Sequence, residues 1–231
     1  MTIKELRELR AIERRNKEIL RVRELYKYEN ELQREGYNLI AGVDEAGRGS
    51  LAGPMVIAAV ILPPDLFIDH LNDSKKLTHN MREKLYDIIT SNAISFSSIC
   101  VNIEDIDKLN VYRATIDGMC RAVKSLPIKP DYVLTDAMKV IFDNGIETKS
   151  IIHGDALSAS IAAASIIAKV TRDRMTDEWH KVYPQYGFSH NRGYGTKTHI
   201  EAIRKFGPSP IHRHTFEPVK SILSNQLTLL Y

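Results

Sequence analysis

Cysteine is nearly absent: Cys100 and Cys120 are the only two in 231 residues. That excludes a disulfide-stapled scaffold and a zinc site built on four thiolates. Two lone thiols read as buried and reduced, and a cytoplasmic setting is expected. No run of 18 apolar residues occurs, so no membrane span is expected. The opening stretch MTIKELRELRAIERR lacks the apolar segment of a secretory signal. Its interleaved Arg and Glu also argue against a transit peptide. The excess of positive over negative residues is small too. The 32 Lys and Arg face 29 Asp and Glu, for a net charge of +3. This permits a polyanionic partner without requiring one. Gly and Pro, 12 and 9 residues, show no fixed period, which excludes a collagen-like fibre. No glycine-rich loop ending in Gly-Lys-Ser/Thr is present, so a nucleotide-hydrolysing motor is not expected.

What remains is an ordinary globular mixture, 43% hydrophobic and 26% charged, long enough for one or two domains. Residues 2–35 form one helical pattern, with Leu6, Leu9, Ile12, Ile19, Leu20 and Tyr26 near helical spacing and Gly36 as its stop. The segment reads as a solvated helix or hairpin against the main domain, or as a basic arm that grips a phosphate backbone. From Asn38 the character changes. Apolar runs at 38–43 and 55–62, the alternating run 93–101, and 131–137 and 149–156 read as strands. Residues 79–90, 103–126, 157–182 and 198–207 read as helices, the third buried in its first half. Strands and helices mixed in this way predict an α/β domain with a central sheet.

Chemistry concentrates where strands are expected to end. Asp44 and Glu45 follow the first strand, Asp136 the fourth and Asp155 the fifth. Each Asp alone is an ordinary turn former or helix cap. Together, carboxylates at three strand ends repel one another unless a cation joins them. Hard oxygen donors suit Mg2+ or Mn2+ better than zinc. Asp173 follows Asp155 by 18 residues, about 25 Å along an unbroken helix, and is left out of the set. GRGSLAGP at 47–54 offers backbone N–H groups to a ligand, or is a plain tight turn. NRGYGTKTH holds Tyr194 between glycines beside Arg192 and Lys197, as a stacking residue or a packed surface one. DSKKL offers Ser74, Lys75 and Lys76 to phosphates, or is only a charged turn. A binding module without catalysis leaves the carboxylates unexplained. A phosphatase or DNA nuclease leaves the Gly47-Arg48-Gly49 turn and Tyr194 unexplained.

VDEAGRGSLAGP, DSKKL, VLTDA, GDALSASIAAASIIAKVTRD, YPQYGF, NRGYGTKTH and GPSPIHR occur in this order across residues 38–218. Together they closely resemble bacterial ribonuclease HII. The resemblance implies a ribonuclease H-like fold: a mixed central sheet flanked by helices, with a helical N-terminal arm. It divides the chain into an arm (1–36), a catalytic domain (37–220) and a tail (221–231). It implies hydrolysis of the RNA strand of RNA–DNA hybrids, and cutting 5′ of single ribonucleotides in duplex DNA. Two-metal-ion chemistry leaving 5′-phosphate and 3′-hydroxyl ends goes with it. By motif match, Asp44, Glu45, Asp136 and Asp155 are the metal-binding catalytic set. Gly47, Arg48 and Gly49 read the ribose 2′-OH, and Tyr194 stacks on the next sugar. The family often has Asp-Gly where this chain has Asp136-Ala137, a change expected to leave the carboxylate in place. A monomer is expected. The ending Gln226-Leu227-Thr228-Leu229-Leu230-Tyr231 resembles a sliding-clamp-binding peptide, or folds back on its own domain.

Overall fold

The first two apolar runs form β1 (Ile40–Ala46) and β2 (Met55–Ile61), and β2 is buried along its whole length. Val56, Ala58 and Val60 enter one core, while Met55, Ile57, Ala59 and Ile61 enter another. A strand covered on both faces is continuously apolar in sequence, as this one is. The computed structural model describes residues 2–143 and 145–228. Its remaining strands are β3 (Ser95–Val101), β4 (Tyr132–Asp136) and β5 (Glu147–Ile151). Their order is β3-β2-β1-β4-β5. The pairs β1–β2 and β2–β3 are antiparallel; β1–β4 and β4–β5 are parallel. The expected mixed central sheet is found. Cys100, expected to be buried, is exposed because β3 is an edge strand; both thiols are free.

The N-terminal pattern forms two helices, α1 (Ile3–Leu25) and α2 (Lys27–Arg34), divided at Tyr26. A capping box of Thr2 and Glu5 opens α1. Leu9, Ile12 and Leu20 of the expected apolar stripe are exposed. The residues that dock are Val22, Leu25 and Tyr26, and the Tyr26 hydroxyl donates to the Leu66 carbonyl at 2.6 Å. Leu32 of α2 packs with Ile40 and Ile161. Helix α3 (His79–Asn92) covers the same face of the sheet. The opposite face carries α4 (Ile103–Leu109) and α5 (Val111–Lys124). Asn110 separates these two, at φ 66°, and its side chain accepts the N–H groups of Tyr112 and Arg113.

After the single turn α6 (Gly154–Leu157) comes the central helix α7 (Ala159–Val182), laid across β1 and β2. Its first half is small and buried all round. At Gly42 a Cβ would lie 2.1 Å from the Ser160 carbonyl carbon, so strand and helix meet backbone to backbone. The chain ends in α8 (Phe188–Asn191), α9 (Lys197–Phe206) and α10 (Val219–Thr228). These wrap a satellite cluster of Leu51, Tyr186, Phe188, Ile203 and Val219. The tail expected from 221 therefore begins inside a helix. Leu229, Leu230 and Tyr231 of the clamp-like pattern lie outside the described residues. Among the described residues no helix is long and apolar enough to cross a membrane.

Candidate active site

The parallel register brings the carboxylates together. Val43 pairs with Thr135, so Asp44 lies level with Asp136, the last residue of β4; Asp44 and Glu45, expected to follow the first strand, lie within β1, whose pairing with β2 continues to Ala46. This is the carboxyl end of the parallel strands, where α/β sheets place their sites. Asp155 arrives otherwise than expected. β5 ends at Ile151, His153 turns the chain at φ 59°, and Asp155 sits in α6, not at a strand end. The Gly154 N–H donates to Asp136 Oδ1 at 2.8 Å and ties α6 to β4. One oxygen from each of Asp44, Asp136 and Asp155 lies within 4.8 Å of the others. Glu45 stands outside this trio. Its Oε1 is 3.7 Å from Arg48 Nη1, and its Oε2 is buried with no hydrogen-bond partner. Asp173, left out of the set, is occupied by Lys169 at 2.7 Å and Arg82 at 3.5 Å.

Charge confined there perturbs the acids. Burial, then Glu45 and Asp136, raise the Asp44 pKa well above its ordinary value. Burial, then Asp155, raise that of Asp136. The Glu45 pKa is raised to about 7, chiefly by burial, with Arg48 opposing the rise and Asp136 adding to it. Lys75 Nζ lies 2.8 Å from Asp155 Oδ2. Burial opposes its charge, but Asp155, Asp73 and Asp44 outweigh that and raise its pKa. All-oxygen donors, mutual repulsion and an unpartnered buried Oε2 together fit a hard divalent cation. A second acidic group, Glu18, Asp69 and His70, is already neutralised: Glu18 by Arg21 at 2.7 Å and Asp69 by Arg15 at 2.6 Å.

The glycine-rich turn follows β1 directly. Gly47 has φ 86°, and a Cβ there would lie 1.9 Å from Arg172 Nε. Gly49 differs: no atom lies within 4 Å of its Cβ position, and its φ is not in the left-handed range. Two fully buried arginines, unnoticed in the sequence, hold this segment. Arg213 donates to the carbonyls of Gly47 (2.7 Å), Arg48 (2.8 Å) and Gly53 (2.9 Å). Arg172 donates to those of Ala52 (3.1 Å), Pro54 (3.2 Å) and Arg192 (2.7 Å). Both lie in motifs that sequence reading quotes, but their partners are far off in the chain. The Arg172 guanidinium also stands 5.6 Å from the Tyr194 ring centroid, and Tyr194 is 39% exposed. Arg192 turns inward, onto Asp177, Thr176 Oγ1 and the Asp173 carbonyl. Ser74 is buried against α7, with its N–H directed at Ser165 Oγ.

A mixed sheet of this order, with three carboxylates gathered at the carboxyl end of its parallel strands, fits the metal-dependent nucleases of the ribonuclease H class. The chain belongs to the ribonuclease HII family, whose family model, described as Ribonuclease HII, matches residues 41–219. Members hydrolyse the RNA strand of RNA–DNA hybrids and remove ribonucleotides, and this chain is such a hydrolase. A ribonuclease HII of Caldanaerobacter subterraneus is 52% identical over 200 residues, spanning 87% of this chain and 83% of its own. The solved ribonuclease H2 of Pyrococcus horikoshii superposes with a TM-score of 0.69 at 28% identity, covering 80% of this chain and 97% of its own. The ribonuclease HII of Archaeoglobus fulgidus, solved in complex with PCNA, shares the fold (TM-score 0.61, 24% identity, 78% of this chain and 95% of its own).

Proposed function

We propose that Asp44, Glu45, Asp136 and Asp155 hold divalent ions, Mg2+ or Mn2+, two per site when substrate is bound. Cleavage 5′ of a ribonucleotide then leaves 5′-phosphate and 3′-hydroxyl ends. The observation that carries this reading is the approach of Asp44, Asp136 and Asp155 to within 4.8 Å. Bound ions supply Lewis acidity for water activation and neutralise charge at the leaving oxygen. The chain supplies the aim. Gly154 N–H fixes Asp136, and the Glu45 N–H fixes Asp44 Oδ1 at 2.7 Å. Lys75, whose side chain is mostly in solvent, answers a substrate phosphate near Asp155.

Specificity falls to the turn. Gly47, Arg48 and Gly49 present backbone groups to the 2′-OH, the group that separates ribose from deoxyribose. Nothing within the protein requires glycine at 49, which supports a substrate backbone lying against it. Tyr194, half-exposed beside this turn, stacks on the neighbouring sugar. Arg192 and Ser74 serve the same binding surface from within, holding the segments that carry Tyr194 and Lys75. The arm (1–36) adds basic residues to the phosphate footprint of the catalytic domain (37–220). The tail (221–231) offers Gln226, Leu227, Leu229 and Leu230 to a sliding clamp. The enzyme works as a cytoplasmic monomer.

The test is a duplex carrying one ribonucleotide, incubated with Mg2+, with Mn2+ and with EDTA. Single cuts 5′ of the ribonucleotide are expected with either metal and none with EDTA. Undiminished cutting in EDTA, or equal cutting of an all-DNA duplex, overturns the reading.

A further inference from the structure

Two histidines outside the carboxylate site lie buried in contact beneath Tyr194. His199 Nε2 and His212 Nε2 are 3.1 Å apart, and both residues are 0% exposed. Their protons are dictated by their partners. The Ser209 N–H must donate, and it points at His212 Nδ1 at 2.9 Å, with Ser209 Oγ 2.8 Å from the same atom. His212 Nδ1 is therefore an acceptor, and its proton resides on Nε2. That N–H faces His199 Nε2, which must accept, so the His199 proton resides on Nδ1. His199 Nδ1 lies 2.8 Å from the Tyr194 carbonyl, an acceptor. Every hydrogen bond runs one way: Ser209 to His212 to His199 to Tyr194. Both rings are neutral in this chain, and a second proton on either would set two donors against each other. Tyr186 and Phe188 enclose the pair, with ring centroids 4.9 Å from His212 and 5.4 Å from His199.

The chain has a second end at the glycine-rich turn. Ala52 bridges His212, and Arg213, the next residue, holds Gly47, Arg48 and Gly53 by their carbonyls. Gly193, beside Tyr194, accepts the N–H of Leu51 at 2.8 Å. The Tyr194 loop and the 47–54 turn thus meet on one segment, 209–213.

We propose that the His199–His212 pair is a positioning device that sets Tyr194 at a fixed place relative to the Gly47–Gly49 turn, and so contributes to recognition of the ribonucleotide. The inference rests on the reading of Tyr194 as a substrate contact. A neutral imidazole pair suits the task because each ring holds one backbone group through Nδ1 and the other ring through Nε2, so that the pair joins the Tyr194 and Ser209 backbones.

A double-mutant cycle on a single-ribonucleotide duplex, scored by kcat/KM, tests this. His199→Gln keeps an acceptor near the Nε2 position and loses the donor to Tyr194. It is expected to cost about tenfold through misplacement of the tyrosine. His199→Asn, whose amide N–H replaces the Nδ1 donor but leaves the His212 Nε2–H without its acceptor, is expected to recover only part of that. In a Tyr194→Ala background His199→Gln is expected to add less than about twofold, because its effect passes through Tyr194. Should His199→Gln not fold, His212→Asn carries the same cycle, since it retains an acceptor for Ser209 but lacks the Nε2 donor. Equal losses from His199→Gln in both backgrounds, or no recovery by His199→Asn, overturn the proposal and leave the pair to packing. Wild-type cleavage by Tyr194→Ala instead marks failure of the tyrosine reading, and the proposal falls with it.

Discussion

Asp136→Asn should make the metal-free enzyme more stable while removing its activity. Two like charges 4.8 Å apart repel by about 3.5 kcal/mol at an effective dielectric constant near 20. Asp136 meets two such neighbours and is half-buried, so water screens part of this and leaves about 1–2 kcal/mol. The asparagine keeps the Oδ1 acceptor for Gly154 N–H and loses only the charge. Protonation relieves the wild type at low pH, which sets the pH dependence. The Asp44 and Asp136 pKa values are raised, and that of Glu45 goes from 4.5 to about 7. An acid whose folded pKa lies above its unfolded one stabilises fully below the unfolded value, and that stability is lost as pH rises through the folded one. For Glu45 the window is 4.5 to about 7. The advantage of Asp136→Asn is therefore expected in EDTA at pH 8 and should shrink towards pH 5. Urea unfolding of both proteins at the two pH values measures it, and contributions common to both cancel. A variant no more stable than wild type at pH 8, with a difference independent of pH, would refute the reasoning.

Gly49→Ala is expected to melt with the wild type, since no protein atom lies within 4 Å of its Cβ, yet to lose cleavage at single ribonucleotides; thermal melting and a gel assay decide. Ala137 sits at φ 51°, where a side chain costs about 1–2 kcal/mol. Ala137→Gly should recover about 1 kcal/mol or less, after the added entropy of the unfolded chain, and retain activity, as denaturant unfolding and turnover will show. His212 titrates at about 4 in the fold against 6.5 ordinarily, because burial disfavours its charge and His199 adds to that. The unfolded chain then binds the extra proton, so stability falls as pH drops through this window, by at most about 3 kcal/mol. His212→Gln should lack that acid loss in a pH series of melting curves.

The elements were legible where the pattern is local. β2 is a continuous apolar run because it is covered on both faces, and the buried half of α7 is Ala-rich where it meets Gly42. The break at Tyr26 was not legible. Nothing in the helical spacing says that its ring turns inward to reach the Leu66 carbonyl. Asp155 lies beside Asp44 and Asp136 but was misassigned to a strand end. The turn that moves it into α6 depends on His153 in the left-handed region, which histidine's identity does not announce. Arg213 and the histidine pair escaped for a different reason. Arg213 and the Gly47 carbonyl are 166 residues apart, and a buried arginine has no local signature until its carbonyls are seen.

Calorimetric titration of Mn2+ into the wild type and Asp44→Asn, with cleavage of a single-ribonucleotide duplex followed on the same samples, tests the central claim most directly. The account predicts that the wild type binds the ion and cuts, and that Asp44→Asn, folded as judged by its melting curve, does neither. Near-normal turnover by a folded Asp44→Asn would contradict it.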